Sequence, residues 1–223
     1  MKKKFLVLFV LVVALNACTF TVRYDEGSGV VENETRQVSN FDKVAFTGIG
    51  TLTIKVGDEE TLEIEAEDNI LPHIKTQVRD GRLEISFDSE RWENLIRPTK
   101  PIRYFLTVRS LEEVNLSGLG DIRLEGVDTN RLVLTLSGAG RIEASGDVAE
   151  QEINVTGAGA YEGGDLRSER SSVNLSGAGS ATVWATEFLN VNISGLGQVR
   201  YYGDPEVRKT VSGLGNLESL GEH

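Results

Sequence analysis

A four-residue phrase, Ser/Thr-Gly-aliphatic-Gly, recurs along the chain and constrains its fold more than any other feature. The seven copies occupy residues 47–50, 117–120, 137–140, 156–159, 176–179, 194–197 and 212–215. The last six copies follow one another at nearly constant intervals. A fixed period of this size, about 20 residues, is typical of a repeat protein, in which each small unit buries its apolar face by stacking on its neighbours.

Each copy follows a stretch in which apolar and polar residues alternate, as at Val114 and Leu116. This alternation predicts a strand with one buried face. Apolar residues return five positions after the Ser or Thr, as at Ile122 and Ile142, so the pattern of each unit predicts a strand, a glycine corner, a second strand and a turn. The glycines are expected where the corner demands a positive φ or leaves no room for a Cβ. The aliphatic residue between them is expected to point inward.

Stacking such units in register places like residues in ladders about 4.8 Å apart. We therefore predict an all-β fold, a right-handed parallel β-helix or closely related β-solenoid with coils of about 18–20 residues. The hydroxyl of each phrase is expected to form one outward ladder. The residues two positions earlier are expected to form another, and they are Asn115, Thr135, Asn154, Asn174, Asn192 and Thr210.

Residues 57–110 lack the phrase but keep some alternation, which predicts irregular coils. Within them, Asp68-Asn69 precedes apolar residues at helical spacing. This pattern predicts one short helix near residues 69–78, with an Asx cap at its start and its end before Asp80-Gly81. Residues 90–100, with Trp92 and Pro98, are predicted to form a surface loop.

Residues 1–17 have the pattern of an export signal, because three lysines precede an apolar run that is too short to span a bilayer. The run ends in Leu15-Asn16-Ala17-Cys18, which resembles the lipobox of bacterial lipoproteins. That resemblance implies cleavage before Cys18 and lipidation of Cys18. An ordinary secretory signal with a chance cysteine is the alternative.

We therefore predict a signal peptide at residues 1–17, a lipidated tether at 18–37 and a single β-helix domain at 38–223. The acyl chains on Cys18 would anchor the protein to a membrane without spanning it. Thr19 follows the cysteine where an Asp would resemble an inner-membrane sorting signal, so we expect the outer membrane of the cell envelope.

The chain is acidic, with 23 basic and 34 acidic residues and a net charge of −11. Residues 1–17 contain three lysines and no acidic residue, so their removal leaves 20 basic and 34 acidic residues and a charge of −14. Such a surface repels phosphate backbones, which argues against nucleic-acid binding.

The sequence contains no recognisable catalytic or metal-binding pattern. Cys18 is the only cysteine and His73 and His223 are the only histidines, and neither a zinc motif nor a P-loop occurs. Of the seven phrases, only the one that ends at Gly120 is followed directly by an aspartate, Asp121, and a Gly-Gly pair precedes an aspartate only at Gly163-Gly164-Asp165, too rarely for a calcium-binding array. We therefore expect no cofactor, no metal and no enzymatic activity.

A polysaccharide-degrading enzyme on a β-helix scaffold is the catalytic alternative, since such enzymes group carboxylates on one face. The outward charges that could supply this group are Asp121, Arg123, Arg141, Glu143, Glu162, Arg200 and Glu218. Their mixed signs favour a solvated face. Aromatic residues could instead stack on a ligand such as a sugar ring, although packing is the alternative for each. These candidates are Trp92, Trp184, Tyr201 and Tyr202.

The motifs together resemble the "putative auto-transporter adhesin" family with a head GIN domain. The match is carried by Val-Ala-Phe-Thr-Gly-Ile-Gly at residues 44–50, Asp-Gly-Arg-Leu-Glu-Ile at 80–85 and the serial Val-Asn-Leu-Ser-Gly phrases, and it covers most of residues 38–220. The resemblance implies an exported β-helix and brings no catalytic residues.

We interpret the protein as a non-enzymatic cell-envelope lipoprotein that binds a glycan, lipid or protein. A purely structural envelope component is the further alternative. Binding is expected where the repeat is broken, chiefly at residues 90–100 and in the coils before Ser117.

Overall fold

The computed structural model describes residues 23–88 and 94–223, and most of these residues lie in β-strands. The strands are β1 (Arg23–Glu26), β2 (Val31–Arg36), β3 (Lys43–Thr47), β4 (Thr51–Val56), β5 (Thr61–Glu67), β6 (Ile74–Arg79), β7 (Arg82–Phe87), β8 (Asn94–Arg97), β9 (Arg103–Val108), β10 (Glu113–Leu116), β11 (Asp121–Leu136), β12 (Arg141–Val155), β13 (Ala160–Gly177), β14 (Ser180–Gly195), β15 (Gln198–Tyr202), β16 (Glu206–Gly213) and β17 (Asn216–Gly221).

Successive coils stack in parallel and in register. Leu116 lies opposite Leu136, which lies opposite Val155, and the ladder continues to Leu175 and Ile193. Each of these residues directly precedes the Ser or Thr of a phrase, so the pairing follows the intervals of the sequence repeat. The predicted β-solenoid, with one phrase in each coil, is therefore confirmed.

The core runs along the stack as rows of inward apolar side chains. One row consists of Val114, Leu134, Ile153, Val173 and Val191, none of them more than 1% exposed. Full burial of such a side chain contributes about 1.5–3 kcal/mol. The outward residues between them face solvent or the adjoining polar ladder, which explains the strict alternation in the sequence.

The glycines of the phrase lie where neighbouring coils leave no room for a side chain. A Cβ on Gly138 would lie 2.0 Å from the carbonyl oxygen of Gly118, and one on Gly140 would lie 1.9 Å from that of Gly120. Gly177 also has a φ of 137°, whereas Gly138 and Gly140 have no positive φ. Close approach of the backbones is therefore the requirement that the corners share.

From the second copy onward the aliphatic residue between the two glycines faces solvent, so the expectation that it points inward is wrong there, although Ile49 of the first copy packs against the core. Leu119, Leu196 and Leu214 are 74%, 67% and 83% exposed. The second glycine is the one that packs on the core, because a Cβ on Gly140 would lie only 3.1 Å from the Leu116 side chain. The residue before that glycine consequently points away from the core.

Residues 57–110 form paired strands where their apolar residues alternate, in coils that lack the repeated phrase. β7 pairs in parallel with β3, and β9 pairs in parallel with β4, so both continue the stack. β6 is antiparallel to β7, and β5 is antiparallel to both β9 and β2. β2 lies in the segment predicted to be a tether, so that prediction is wrong for residues 31–36.

The helix predicted near residues 69–78 is reduced to the single 3-10 turn Leu71–His73. Ile74–Arg79 is strand β6, and its hairpin with β7 closes through Asp80 and Gly81. Both turn residues have positive φ, 49° and 73°. An Asp-Gly pair between alternating strands favours this kind of two-residue hairpin turn, and here it overrides the helical spacing of the apolar residues.

Several predictions fall on residues outside the described ranges, among them the signal peptide, Cys18 and Trp92. Part of the loop predicted at residues 90–100 is described, and there Asn94–Arg97 forms β8, paired in parallel with β1. Within the ranges that the structure describes, no helix has the length and apolarity needed to cross a bilayer.

A buried carboxylate fixes the segments beside β5. Glu67 is 1% exposed, and its oxygens accept hydrogen bonds from the Gly29 N–H at 2.7 Å, the Thr99 N–H at 2.8 Å and the Lys100 N–H at 3.2 Å. The Thr99 hydroxyl donates a further bond at 2.5 Å. Burial alone would raise the pKa of Glu67, but these hydrogen bonds outweigh it and lower the pKa from 4.5 to about 2.

Candidate functional site

A groove of about 530 Å³ lies where the regular pairing of coils is interrupted. Gly163 pairs with Val183 and Arg167 pairs with Trp184, so residues 164–166 bulge out of the ladder between β13 and β14. The pairing of β12 with β13 is also irregular, between Glu143 and Ser145. Bulges of this kind redirect neighbouring side chains and often lie beside functional sites.

Aromatic rings form one end of this cavity, which we call the aromatic groove. Trp184 and Tyr202 are cross-strand partners on β14 and β15. The imidazole of His223 lies parallel to the Trp184 indole, with the ring centroids 4.2 Å apart and the planes 8° apart. His223 also meets Tyr202 edge-on at 4.9 Å. His223 thus covers one face of the Trp184 ring, and the rings that line the groove are those of Tyr202 and His223.

The remainder of the aromatic groove is polar and acidic, and its carboxylates have basic partners. These pairs are Glu143 with Arg123 at 2.9 Å, Glu162 with Arg200 at 3.7 Å, Asp165 with His223 at 3.7 Å and Glu125 with Lys55 at 2.9 Å. Because all of these side chains are partly exposed, each pair stabilises the fold by at most about 1 kcal/mol. Their main effect is to orient the carboxylates along the groove.

The charges considered for acid–base chemistry lie on two outward ladders. Asp121 pairs with Arg141 on one of them, and Arg123, Glu143 and Glu162 are successive partners on the other, followed after Thr182 by Arg200 and Glu218. Glu143 and Glu162 are therefore neighbouring carboxylates, and each has a basic side chain beside it. In residues 23–88 and 94–223, no group of three or more His, Cys, Asp and Glu side chains could hold a metal ion.

Of the four predicted aromatic candidates, Tyr202 lines the aromatic groove, and Trp184 lies next to the lining, stacked on His223. Tyr201 instead pairs with Val183 and packs against the core, and Trp92 lies outside the described residues. Sequence reasoning missed His223 as a member of the site. A signal was present in the coil lengths, because the coil that begins at residue 156 is two residues longer than the next.

A buried polar cluster supports the aromatic platform from inside the coil. The Tyr161 hydroxyl donates to Gln151 Oε1 at 2.8 Å, and Gln151 Nε2 donates to the hydroxyls of Ser168 at 2.9 Å and Ser171 at 3.0 Å. The Ser168 hydroxyl donates to the Trp184 carbonyl at 2.7 Å. Burial raises the pKa of Tyr161, which keeps its hydroxyl protonated as a donor.

A predicted outward ladder is also present. Asn192 Nδ2 donates to Asn174 Oδ1, and Asn174 Nδ2 donates to Asn154 Oδ1, both at 3.0 Å. In the hydroxyl row, the oxygens of Thr47 and Ser117 lie 2.9 Å apart. The amide ladder therefore forms over three coils, where it fixes the orientation of each side chain.

Residues 40–205 match the protein family described as "Putative auto-transporter adhesin, head GIN domain". The chain belongs to this family. The predicted resemblance is thereby confirmed, and the family's adhesin description is compatible with a location in the cell envelope. No curated protein matches the chain.

Solved structures share the head GIN solenoid. A protein from Bacteroides fragilis described as a "putative adhesin" is 22% identical, with a TM-score of 0.72 and coverage of 87% of this chain and 99% of its own. A "putative lipid binding protein" from Parabacteroides distasonis is 21% identical, with a TM-score of 0.62 and coverage of 89% and 100%. A "putative adhesin" from Parabacteroides merdae is 17% identical, with a TM-score of 0.56 and coverage of 89% and 99%. At these identities the likeness establishes the fold.

Proposed function

We propose that this head GIN protein is a non-enzymatic binding module of the bacterial cell envelope, and that its aromatic groove binds a glycan. The observation that carries the proposal is the aromatic cluster of Tyr202, His223 and the Trp184 ring stacked on His223, which lies beside a groove of carboxylates and hydroxyls. A sugar ring has an apolar face of C–H groups and a rim of hydroxyls. Such a ligand needs a flat aromatic surface and nearby hydrogen-bond partners, and the groove offers both.

The charge of the aromatic groove narrows the class of glycan. Four carboxylates line it, those of Glu125, Glu143, Glu162 and Asp165, against Arg123 in the lining and the paired cations Lys55 and Arg200 beside it. This balance disfavours uronic acids, sulfated sugars and phosphates. The ligand class is therefore a neutral sugar or one that carries a free amino group.

Binding is favoured over catalysis by the way these carboxylates are held. Glu143 lies 2.9 Å from the Arg123 guanidinium, and the Glu162 carboxylate lies 3.7 Å from Arg200. A general acid must lie within hydrogen-bond reach of the leaving oxygen, and a basic side chain already occupies the space beside each of these carboxylates. The same groups act readily as hydrogen-bond acceptors for sugar hydroxyls.

Membrane attachment is the second part of the proposal. The lipobox-like residues 15–18 precede the described residues by only a few positions, so acyl chains on Cys18 would hold the solenoid close to the outer membrane. Each buried methylene contributes about 0.8 kcal/mol, so several chains give stable attachment. We expect Cys18→Ser to move the protein from the membrane fraction to the soluble fraction. Retention in the membrane fraction would count against lipidation.

Glycan binding is best tested with the exported Cys18→Ser protein on an array of neutral, amino and acidic glycans. We expect neutral or amino glycans to be retained, and Trp184→Ala to weaken their binding by about tenfold or more, equivalent to ~1.4 kcal/mol. Phe105→Ala is the matched control, because Phe105 is also aromatic and is 43% exposed on β9. Equal binding by Trp184→Ala and Phe105→Ala would refute the site. Release of shortened sugars would instead support the enzyme alternative.

A further inference from the structure

A second, shallow groove of about 260 Å³ is lined by residues of four consecutive coils, so it runs along the stack. We call it the ladder groove. One wall is a row of Asn and Thr side chains, those of Asn154, Asn174, Asn192 and Thr210. The other wall is a row of hydroxyls, those of Thr156, Ser176, Ser194 and Ser212.

The two rows are rigid and evenly spaced because the backbone beneath them is paired from coil to coil. Asn174 is the register partner of Asn192, and Ser176 is the partner of Ser194, which in turn pairs with Ser212. Neighbouring rungs are consequently about 4.8 Å apart. The amide hydrogen bonds fix the Asn side chains as well, so little conformational entropy remains to be lost when a ligand binds.

Each rung offers an amide or hydroxyl on one wall and a hydroxyl on the other. An Asn amide has two N–H donors and two acceptor lone pairs, and the ladder uses one of each at Asn174. A Ser or Thr hydroxyl adds one donor and two acceptor sites. A ligand that lies along the groove therefore meets the same pattern at the rungs of Asn174 and Asn192 and a similar one at the two end rungs, which favours a ligand that is itself a repeat.

The ladder groove is uncharged. All of its lining residues are Asn, Ser, Thr, Leu or Ile, although 26% of the chain is charged and the net charge is −11. A charged polymer would find no counter-charge there, and an apolar chain would leave the amides and hydroxyls unpaired. The complementary ligand is neutral and rich in hydroxyl groups.

We propose that the ladder groove binds one neutral polysaccharide chain in an extended conformation, parallel to the axis of the stack. The site is separate from the aromatic groove, since the two share no lining residue. It lies on the strands before the glycine corner, whereas the aromatic groove lies on the strands after it. The proposal extends the function from discrete glycans to a linear polymer and does not depend on the aromatic platform.

Neutral β-1,4-linked oligomers of glucose or N-acetylglucosamine, in a series of increasing length, are the probes for this site. Affinity measured by calorimetry is expected to rise with oligomer length and then level off when the ladder groove is filled. The double variant Ser176→Ala/Ser194→Ala should lose about tenfold in affinity for the longest oligomer, which corresponds to one or two net hydrogen bonds. Ser110→Ala/Ser180→Ala, which removes two hydroxyls outside both grooves, should bind like the parent.

Three outcomes would overturn the proposal. They are affinity independent of oligomer length, equal binding by the two double variants, and equal binding of a polymer of uronic acids. Sedimentation of the protein alone tests a second copy as the occupant, and a dimer that Ser176→Ala/Ser194→Ala dissociates would also reject the polymer. Trp184→Ala distinguishes the two sites. If this variant still binds the polymer, the ladder groove is supported as the polymer site. If it no longer binds the polymer, the polymer belongs to the aromatic groove, and only the proposed function is supported.

Discussion

Replacing Gly140 with alanine tests the role of the repeated corner glycines most directly. The new Cβ would lie 1.9 Å from the Gly120 carbonyl oxygen and 3.1 Å from the Leu116 side chain. The nearer obstacle is backbone, so the two coils must separate by about 1 Å to restore ordinary contact. That movement weakens the hydrogen bonds between these two coils at the corner, including the one from the Ala139 N–H to the Gly118 carbonyl at 3.3 Å.

Overpacking costs about 1–3 kcal/mol and each weakened hydrogen bond adds up to about 1.5 kcal/mol, so we expect Gly140→Ala to destabilise the fold by about 4 kcal/mol. A chain of this size loses roughly 2–4 °C in Tm per kcal/mol, which predicts a fall of about 8–16 °C. Thermal unfolding of the Cys18→Ser protein, followed by circular dichroism, measures it.

Gly126→Ala is the matched control for this experiment. Gly126 has a φ of 65°, and its added Cβ would meet nothing within 4 Å. The remaining cost is the backbone strain of an alanine with a positive φ, about 1–2 kcal/mol. If both variants unfold at the same temperature, contact between coils is not what the corner glycines provide, and the explanation of the motif is wrong.

Three further perturbations address the interior, the buried carboxylate and the aromatic groove. Tyr161→Phe leaves a buried amide acceptor without its donor, so we expect a loss of about 1–2 kcal/mol in a denaturant titration; an unchanged midpoint would contradict this. Burial raises the pKa of Glu67, but hydrogen bonds from Thr99 and two other backbone N–H groups outweigh it, so the folded-state pKa of about 2 lies below the ordinary 4.5. Its stabilisation is therefore present above pH 4.5 and disappears as the pH falls towards 2, and Glu67→Gln should flatten this part of the plot of Tm against pH. His223→Ala uncovers the Trp184 ring and should raise glycan affinity about two- to tenfold, whereas weaker binding would make His223 part of the ligand surface.

The sequence is sufficient to predict the stack because every coil repeats the same inward positions. Val114 and Leu116 recur at matched offsets in the following coils, and in-register pairing requires that spacing. The outward Asn positions follow from the same register. Within a strand, a period of two determines the face of each residue, so buried rows and polar ladders can be assigned from the sequence alone.

The same rule fails at the corners and at the hairpin. Alternation cannot be counted around a bend, and the pattern therefore places Leu119 in the core although it is 74% exposed. At residues 74–79, helical spacing of apolar residues coincides with strand alternation. Asp80-Gly81 is the stronger indication, because few sequences other than Asp-Gly and its relatives close a two-residue hairpin.

The aromatic groove is harder to predict than the fold because it depends on contacts between distant segments. Trp184, Tyr202 and His223 come together through the register of three separate coils and the bulge in a fourth. No local pattern connects His223 to Trp184. Only the repeat length indicates where the groove lies, since the interval between copies of the phrase becomes two residues shorter directly after the bulged coil.

The regular coils and the bulged coil are proposed to bind different ligands, and one deletion can distinguish the two sites. Removing residues 164 and 165 would give their coil the same length as each of the next two coils, while retaining the buried Leu166. We expect the deletion variant to fold, to lose the aromatic groove and its glycan affinity, and to keep binding neutral oligomers in the ladder groove. Circular dichroism and calorimetry on both ligand sets measure this. Removal of the bulge makes the coils on that face equivalent, so the aromatic groove should disappear. Unchanged glycan affinity would therefore show that the bulge does not create the site.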